Sequence, residues 1–398
     1  MPSKAPKRPN QEHGPAIYLN WLATRRRQPL ISTQEYPLFT DAHIVAEAKH
    51  GPYSLLNTVA VPPGDVRPAV VLRYDWRWQF PHPDWSATDA DRYHGGAPAE
   101  EIAALASLSL GVRFRAGHSA REFRPRGDPK GSPRDTFRRA IPILRVGQSG
   151  RWILPRVAEG ERSLELLQPL SILPDLEPAA ATSLIRAARM YQDALWFAES
   201  EPALAWLLLV SGLEAAAMHW RPCKEDPVSR FKSARPNLYS ALFERDPSLA
   251  SRVASEFPDT SGSTKKFLDF CLTFRPVQPR ERPKWANAAV DWSDKALRKI
   301  LSTVYDYRSK ALHDGRPFPA PMCEPPYSGS DWPTPAEKPT GHISMAGGVW
   351  LEKDIPILLH TFEYITRGTL LNWWRTGAPQ EGREAGSPKR KPRPVAGA

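Results

Sequence analysis

The sequence predicts an α+β protein, with an N-terminal mixed α/β region followed by an all-α helical bundle. Three observations predict it. Residues Val70 to Trp78 alternate, with Leu72, Tyr74, Trp76 and Trp78 on one side and Arg73, Asp75 and Arg77 on the other. That is the period of a strand with one buried face. From about residue 175 the apolar residues recur at helical spacing instead. The 43 prolines among 398 residues require long irregular connections between the elements.

The elements follow in order. Residues 1–15 form a basic tail without an apolar pattern and are expected to be disordered. Residues 16–165 make up the N-terminal α+β region, assigned to sensing or recruitment. Within it, Pro98 to Leu110 is a short helix with proline at its start, Glu100 and Glu101 in its first turn and Gly111 as its stop. A basic, Gly- and Pro-rich loop is expected over Ala116 to Arg134. Phe137 to Val146 and Arg151 to Val157 read as a strand pair around Gly147-Gln148-Ser149-Gly150.

The helical part covers residues 178–376. Leu184, Ala188, Tyr191 and Leu195 mark one helix. Pro202 opens a second that runs to about Trp220 and is apolar on nearly every side, hence buried. Asp226 and Pro227 open a third, and Ser263 caps a fourth through Phe274. Residues 276–283 are a charged linker. A further helix spans Ser293 to His313, and a Pro-rich loop follows from Pro317 to about Gly341. Asp354 and Pro356 open the last helix, with Leu358, Phe362, Ile365 and Trp373 inward. Residues 377–398 are a second basic tail, again expected to be disordered.

Composition narrows the function classes. A net charge of +11, carried mostly by arginine, suits an anionic partner, nucleic acid first. Cys223, Cys271 and Cys323 are scattered, without a C-x-x-C pair or a disulfide framework, which points to a reducing cytoplasm. The N-terminus lacks the apolar core of a signal peptide. The longest apolar run, Ala203 to Val210, is too short to span a bilayer, so no membrane partner is expected. The ten histidines form no H-x-x-x-H or Cys/His cluster, so neither metal nor cofactor is expected. His82 and His94 lie near Asp84, Asp89 and Asp91 in sequence, without metal-ligand spacing. No P-loop, dinucleotide fingerprint or nucleophile elbow occurs.

The chemistry concentrates in the helix ending at His313. Asp291 or Ser293 can cap its start. Leu297, Ile300, Leu301, Val304, Ala311 and Leu312 define its buried face, and Arg308 falls on that face where the pattern calls for an apolar residue. An arginine there is costly unless something pairs with it. Gly315 is placed as the C-cap and Pro317 as the stop. His313 then stands in the last turn, where the helix dipole favours an imidazolium. Glu214 is the other charge in an apolar setting, in Leu213-Glu214-Ala215-Ala216. It pairs with Arg308, orients the site, or reaches solvent at a helix edge.

The words Tyr305-Asp306-Tyr307-Arg308-Ser309-Lys310-Ala311-Leu312-His313-Asp314-Gly315 resemble the R-x4-H signature of the HEPN superfamily, in its Y-x-x-R-S-x-x-x-H-x-G form. The resemblance covers about residues 178–376. Asp226-Pro227-Val228-Ser229-Arg230-Phe231 is similar to the S-x-R-F element of related proteins, and similar HEPN proteins also carry a glutamate in the helix of Glu214. The resemblance implies a HEPN-like helical bundle with metal-independent endoribonuclease activity, in bacterial anti-phage defence or a toxin–antitoxin stress response. It implies His313 as general acid or base and Arg308 as the group stabilising phosphoryl charge. Ser309, Glu214, Tyr305 and Arg230 are its supporting residues. RNA is the implied substrate and a homodimer the implied assembly, with a phage-derived or antitoxin protein as a further partner. Ser309 stands where nuclease members commonly carry Asn, Asp or His. The alternative is therefore a catalytically inactive HEPN-like scaffold that binds nucleic acid or a nucleotide. A helical interaction protein without the resemblance is the remaining rival.

Overall fold

The computed structural model describes residues 13–377 except 59–64, 82–84, 87, 89–93, 95, 126, 135–141, 145–150, 159, 221–225, 257–262, 329–333 and 346. The chain is a mixed α and β protein built on an antiparallel sheet and many helices.

Helix α1 (Ala16–Arg25) precedes β1 (Ser32–Thr40), β2 (His43–Val45), β3 (Ala48–His50), β4 (Tyr53–Asn57) and β5 (Arg67–Trp76). Helix α2 (Pro98–Leu110) is followed by β6 (Arg115–Ala116), β7 (Arg121–Phe123) and β8 (Ser132–Pro133). Among the described residues the main sheet runs β3-β4-β5-β1-β7-β8, with β6 also on β1. Strand β5 buries Leu72, Tyr74 and Trp76, and Trp78 just beyond it, as its alternation requires. Tyr53, Tyr74, Trp76 and Trp78 form a chain of edge-on and tilted aromatic contacts across that face.

Several expectations for this half need correction. The stretch 116–134 is not only a loop, because it supplies β7 and β8 at the sheet edge. Arg121 donates to the carbonyls of Lys130 and Gly131 at 2.7 and 3.0 Å, and Gly131 takes the left-handed φ of 64° that closes the hairpin. The expected strand at Phe137 to Val146 lies largely outside the described residues. Its partner, Arg151 to Val157, is not a strand. Pro155 opens the short helix α3 (Pro155–Ala158), and the Ile153 and Leu154 N–H groups donate to the Glu199 carboxylate rather than to a strand. The tail expected over 1–15 lies outside the described residues as far as residue 12, but Gly14 and Pro15 are buried against the fold.

Strand β9 (Glu161–Ser163) pairs parallel with β2, and a 3-10 segment (Leu164–Asp175) leads into the helices. These are α4 (Pro178–Phe197), α5 (Pro202–Trp220), α6 (Pro227–Ala234), α7 (Pro236–Arg245), α8 (Pro247–Glu256), α9 (Ser263–Thr273), α10 (Asp294–His313) and α11 (Leu359–Thr376). A hairpin, β10 (Ile343–Met345) and β11 (Gly348–Trp350), precedes α11. The last helix starts later than its proline suggests. Leu358 is extended and donates its N–H to the Glu337 carbonyl, which holds the chain out of helix until Leu359.

Helix α5 is not limited by its eight-residue apolar run. Over Pro202–Trp220 it is long and apolar enough to cross a bilayer, with 44% of that window buried. Trp206, Leu209, Val210, Leu213, Ala216 and Ala217 face the core, where α5 packs on α4, α9, α10 and α11. Helix α2 is buried along nearly its whole length and touches α1, β6, α4 and α11. Buried residues of the sheet and of the helices therefore join in one hydrophobic core. Arg113, just past α2, is fully buried between Asp41 at 2.6 Å and Glu199 at 2.8 Å, and it donates to the Leu195 carbonyl at 2.7 Å. That network ties the end of β1 to the end of α4.

Candidate functional site

Helix α10 begins as its sequence demands. The Ser293 side chain accepts the Ala296 N–H at 3.3 Å, and Asp291 accepts the Ser293 N–H at 2.9 Å, so both candidate caps take part. Leu297, Ile300, Leu301, Val304 and Tyr305 are buried against α5 and α9. The buried face ends there. Leu312 is 52% exposed and Ala311 half-buried, because the last turn runs past the helices that cover the earlier ones.

Arg308 sits at that boundary. Its Nη2 donates to Glu214 Oε2 on α5, and Tyr305 donates its hydroxyl to Glu214 Oε1 at 2.7 Å. Both charged side chains are 18% exposed. The two charges that interrupt the apolar pattern thus neutralise each other. The Arg308 guanidinium also lies 5.7 Å from the Tyr305 ring centroid, and that ring packs on Phe267 at 5.0 Å. Burial raises the Tyr305 hydroxyl above its ordinary pKa, so it stays a donor to Glu214. One guanidinium donor is unspent, since Arg308 Nε is buried with no hydrogen-bond partner.

His313 is exposed in the last turn, and Ser309 is half-buried. Neither side chain forms a hydrogen bond among the described residues. Five residues separate Arg308 from His313, which on a helix is about 140° of rotation and about 7.5 Å of rise. One chain therefore turns the arginine toward the core and the histidine to another side. Gly315, with φ of 65°, reverses the backbone directly after the site.

Arg230 lies on α6, but its side chain is outside the described residues. Asp226 caps that helix, its Oδ1 accepting the Val228 and Ser229 N–H groups at 3.0 Å each. Among the described residues no group of three or more His, Cys, Asp or Glu side chains could hold a metal ion. His82, Asp84, Asp89 and Asp91 lie outside the described residues, as does Cys223.

One feature near the site had no sequence signal. A cleft of about 550 Å³ lies beside the first half of α10, lined by Lys299, Ile300, Thr303, Lys338, His342 and Lys353 among others. It forms because the segment ahead of α11 folds back on the helix, with Tyr307 donating its hydroxyl to the Asp354 carbonyl at 2.6 Å. No single stretch of sequence announces such a long-range fold-back.

No family matches the chain, and no curated protein or solved structure matches it.

Proposed function

We propose that the chain is a metal-independent endoribonuclease of HEPN type, with residues 178–376 as a HEPN-like helical bundle. The reading includes a cytoplasmic setting, RNA as substrate, a homodimer, and a role in bacterial anti-phage defence or a toxin–antitoxin response with a phage-derived or antitoxin partner. The observation that carries it is the end of α10. There Glu214 holds Arg308 with Nε unspent, five residues before an exposed His313 and the Gly315 reversal.

The chemistry follows from those groups. His313 takes the proton of a ribose 2′-hydroxyl, and the 2′-oxygen attacks phosphorus. The bond to the 5′-oxygen breaks, and an imidazolium returns a proton to that leaving group. The products are a 2′,3′-cyclic phosphate and a 5′-hydroxyl. Arg308 stabilises the charge that builds on the phosphoryl oxygens. Glu214 and Tyr305 fix the guanidinium so that it need not reorganise. Ser309 supplies a hydroxyl to the imidazole or the phosphate. Because the two residues diverge by about 140° on one helix, the Arg308 of one copy works with the His313 of another.

A second reading has its own support. Arg308 is already neutralised by Glu214, and Ser309 replaces the more usual Asn, Asp or His. Both features fit a catalytically inactive scaffold that binds nucleic acid or a nucleotide.

Cleavage of several RNAs by wild type and His313→Ala in the presence of EDTA separates the readings. The nuclease cuts and leaves 2′,3′-cyclic phosphate ends. His313→Ala should lose about 10²–10⁴-fold in rate, the usual worth of a general acid or base, with its helical circular dichroism unchanged. RNA retention without turnover in wild type would replace the nuclease with the scaffold.

A further inference from the structure

Several buried or half-buried arginines in this chain hold a carboxylate. Arg113 holds Asp41 and Glu199, Arg282 holds Glu337, and Arg308 holds Glu214. Arg77 and Arg121 instead donate to backbone carbonyls, and Arg156, Arg162 and Arg367 likewise have no carboxylate partner among the described residues. These last three come from α3, β9 and α11, and converge where those elements meet the end of α2 and the side of α4.

Each is fixed in place with no acidic partner among the described residues. Arg367 donates from Nε to the Leu108 carbonyl at 2.9 Å and from Nη2 to the Ser109 carbonyl at 2.5 Å. Arg162 donates from Nη2 to the Arg156 carbonyl at 2.6 Å and from Nη1 to the backbone carbonyl of its neighbour Glu161 at 3.0 Å. The Arg156 guanidinium stacks over the Tyr364 ring at 5.5 Å. Among the described residues none of the three makes an ion pair with a carboxylate. Glu363 is the acid they surround, and it feels Arg367, Arg156 and Arg162 in that order. Glu363 is buried and receives the Tyr191 hydroxyl, and burial raises its pKa, which makes it a weaker counter-ion still.

The three guanidiniums bring three positive charges together, and the acid they surround among the described residues is Glu363. Excess positive charge in a half-buried place is costly until an anion neutralises it. The guanidinium fork matches phosphoryl oxygens two at a time. We propose that Arg156, Arg162 and Arg367 form a binding site for a small phosphorylated ligand carrying two or more negative charges, of the pyrophosphate type. The site is separate from α10 and stands apart from the ribonuclease reading. A bound anion there bridges the end of α2, α3, β9 and α11.

Calorimetric titration of the full chain with inorganic pyrophosphate, at fixed ionic strength, tests this. Wild type should bind saturably, one pyrophosphate per chain. Arg162→Gln and Arg156→Gln should each weaken binding roughly tenfold or more, since a hydrogen bond to a charged group is worth about that factor. Arg156 is the cleaner position, because its side chain only stacks and its loss leaves no backbone carbonyl unpaired. Arg252→Gln, an exposed arginine on α8, should change nothing. Absence of saturable binding to wild type would overturn the site. So would equal weakening by Arg252→Gln, which would mark the affinity as that of any basic surface.

Discussion

Glu214→Ala removes the partner of an arginine that is 18% exposed, leaving its charge only partly solvated. The expected loss is about 1–3 kcal/mol, the range for hydrogen bonds to charged groups, read from urea unfolding. An unchanged midpoint would mean that Arg308 finds water or another acid instead. Arg113→Met should be more severe, about 3–5 kcal/mol, because Asp41 and Glu199 are then left as buried carboxylates with no cation. The two pairs also differ in how far the sequence discloses them. Glu214 and Arg308 interrupt apolar helical patterns, so each marks itself as a charge in need of a partner. Arg113 lies in a short connection, and its acids are 72 and 86 residues away, so nothing local marks them. The outward turn of Leu312 was equally hidden, since periodicity describes a helix face but not where the covering helices stop.

Helix ends set much of what the elements can do. Gly111 ends α2 at φ 69°, and a Cβ there would come within 2.8 Å of Arg367 Nε. Gly111→Ala should cost about 1–2 kcal/mol for the left-handed backbone alone, and should also displace Arg367 from the Leu108 and Ser109 carbonyls. A melting temperature equal to wild type would show that the cap relaxes freely. This cap was legible, as was β5, because a proline start, a glycine stop and strict alternation are local signals. Strand β1 was not. Its sequence, Ser-Thr-Gln-Glu-Tyr-Pro-Leu-Phe-Thr, mixes polar residues with Pro37 and buries only Ser32, Leu38 and Thr40. It earns its central place in the sheet from partners on both sides. Helices α7 and α8 were missed for a related reason. Each is short and mostly exposed, so few of its residues join the core that the sequence pattern was read for.

At the scale of the whole molecule, pH acts through two buried groups of opposite sign. Burial holds the His360 imidazole down at about 4, while its hydrogen bond to the Ala336 carbonyl opposes the shift. The unfolded chain therefore binds the proton more readily. The stability from this group is complete above pH 6.5 and is lost as pH falls through 4, on the order of 3 kcal/mol. Burial lifts Glu101 to about 7 against the Ile17 N–H. Its contribution is complete below 4.5 and is lost as pH rises through 7. Chemical unfolding across pH 4–8 should accordingly show less acid destabilisation in His360→Gln and less alkaline destabilisation in Glu101→Gln, compared as slopes rather than absolute values. Parallel slopes in wild type and variant would remove either group as the cause. The proposed function belongs to the same scale. Arg308 and His313 diverge on one helix, so we propose that a working site draws on two copies of the chain. The most direct measurement is RNA cleavage by an equimolar mixture of Arg308→Ala and His313→Ala chains, each inactive alone, after unfolding and refolding together. A site shared between copies predicts that cleavage returns in the mixture, through heterodimers that bring one intact arginine to one intact histidine. A mixture that stays inactive, beside wild type that is active after the same refolding, would contradict it.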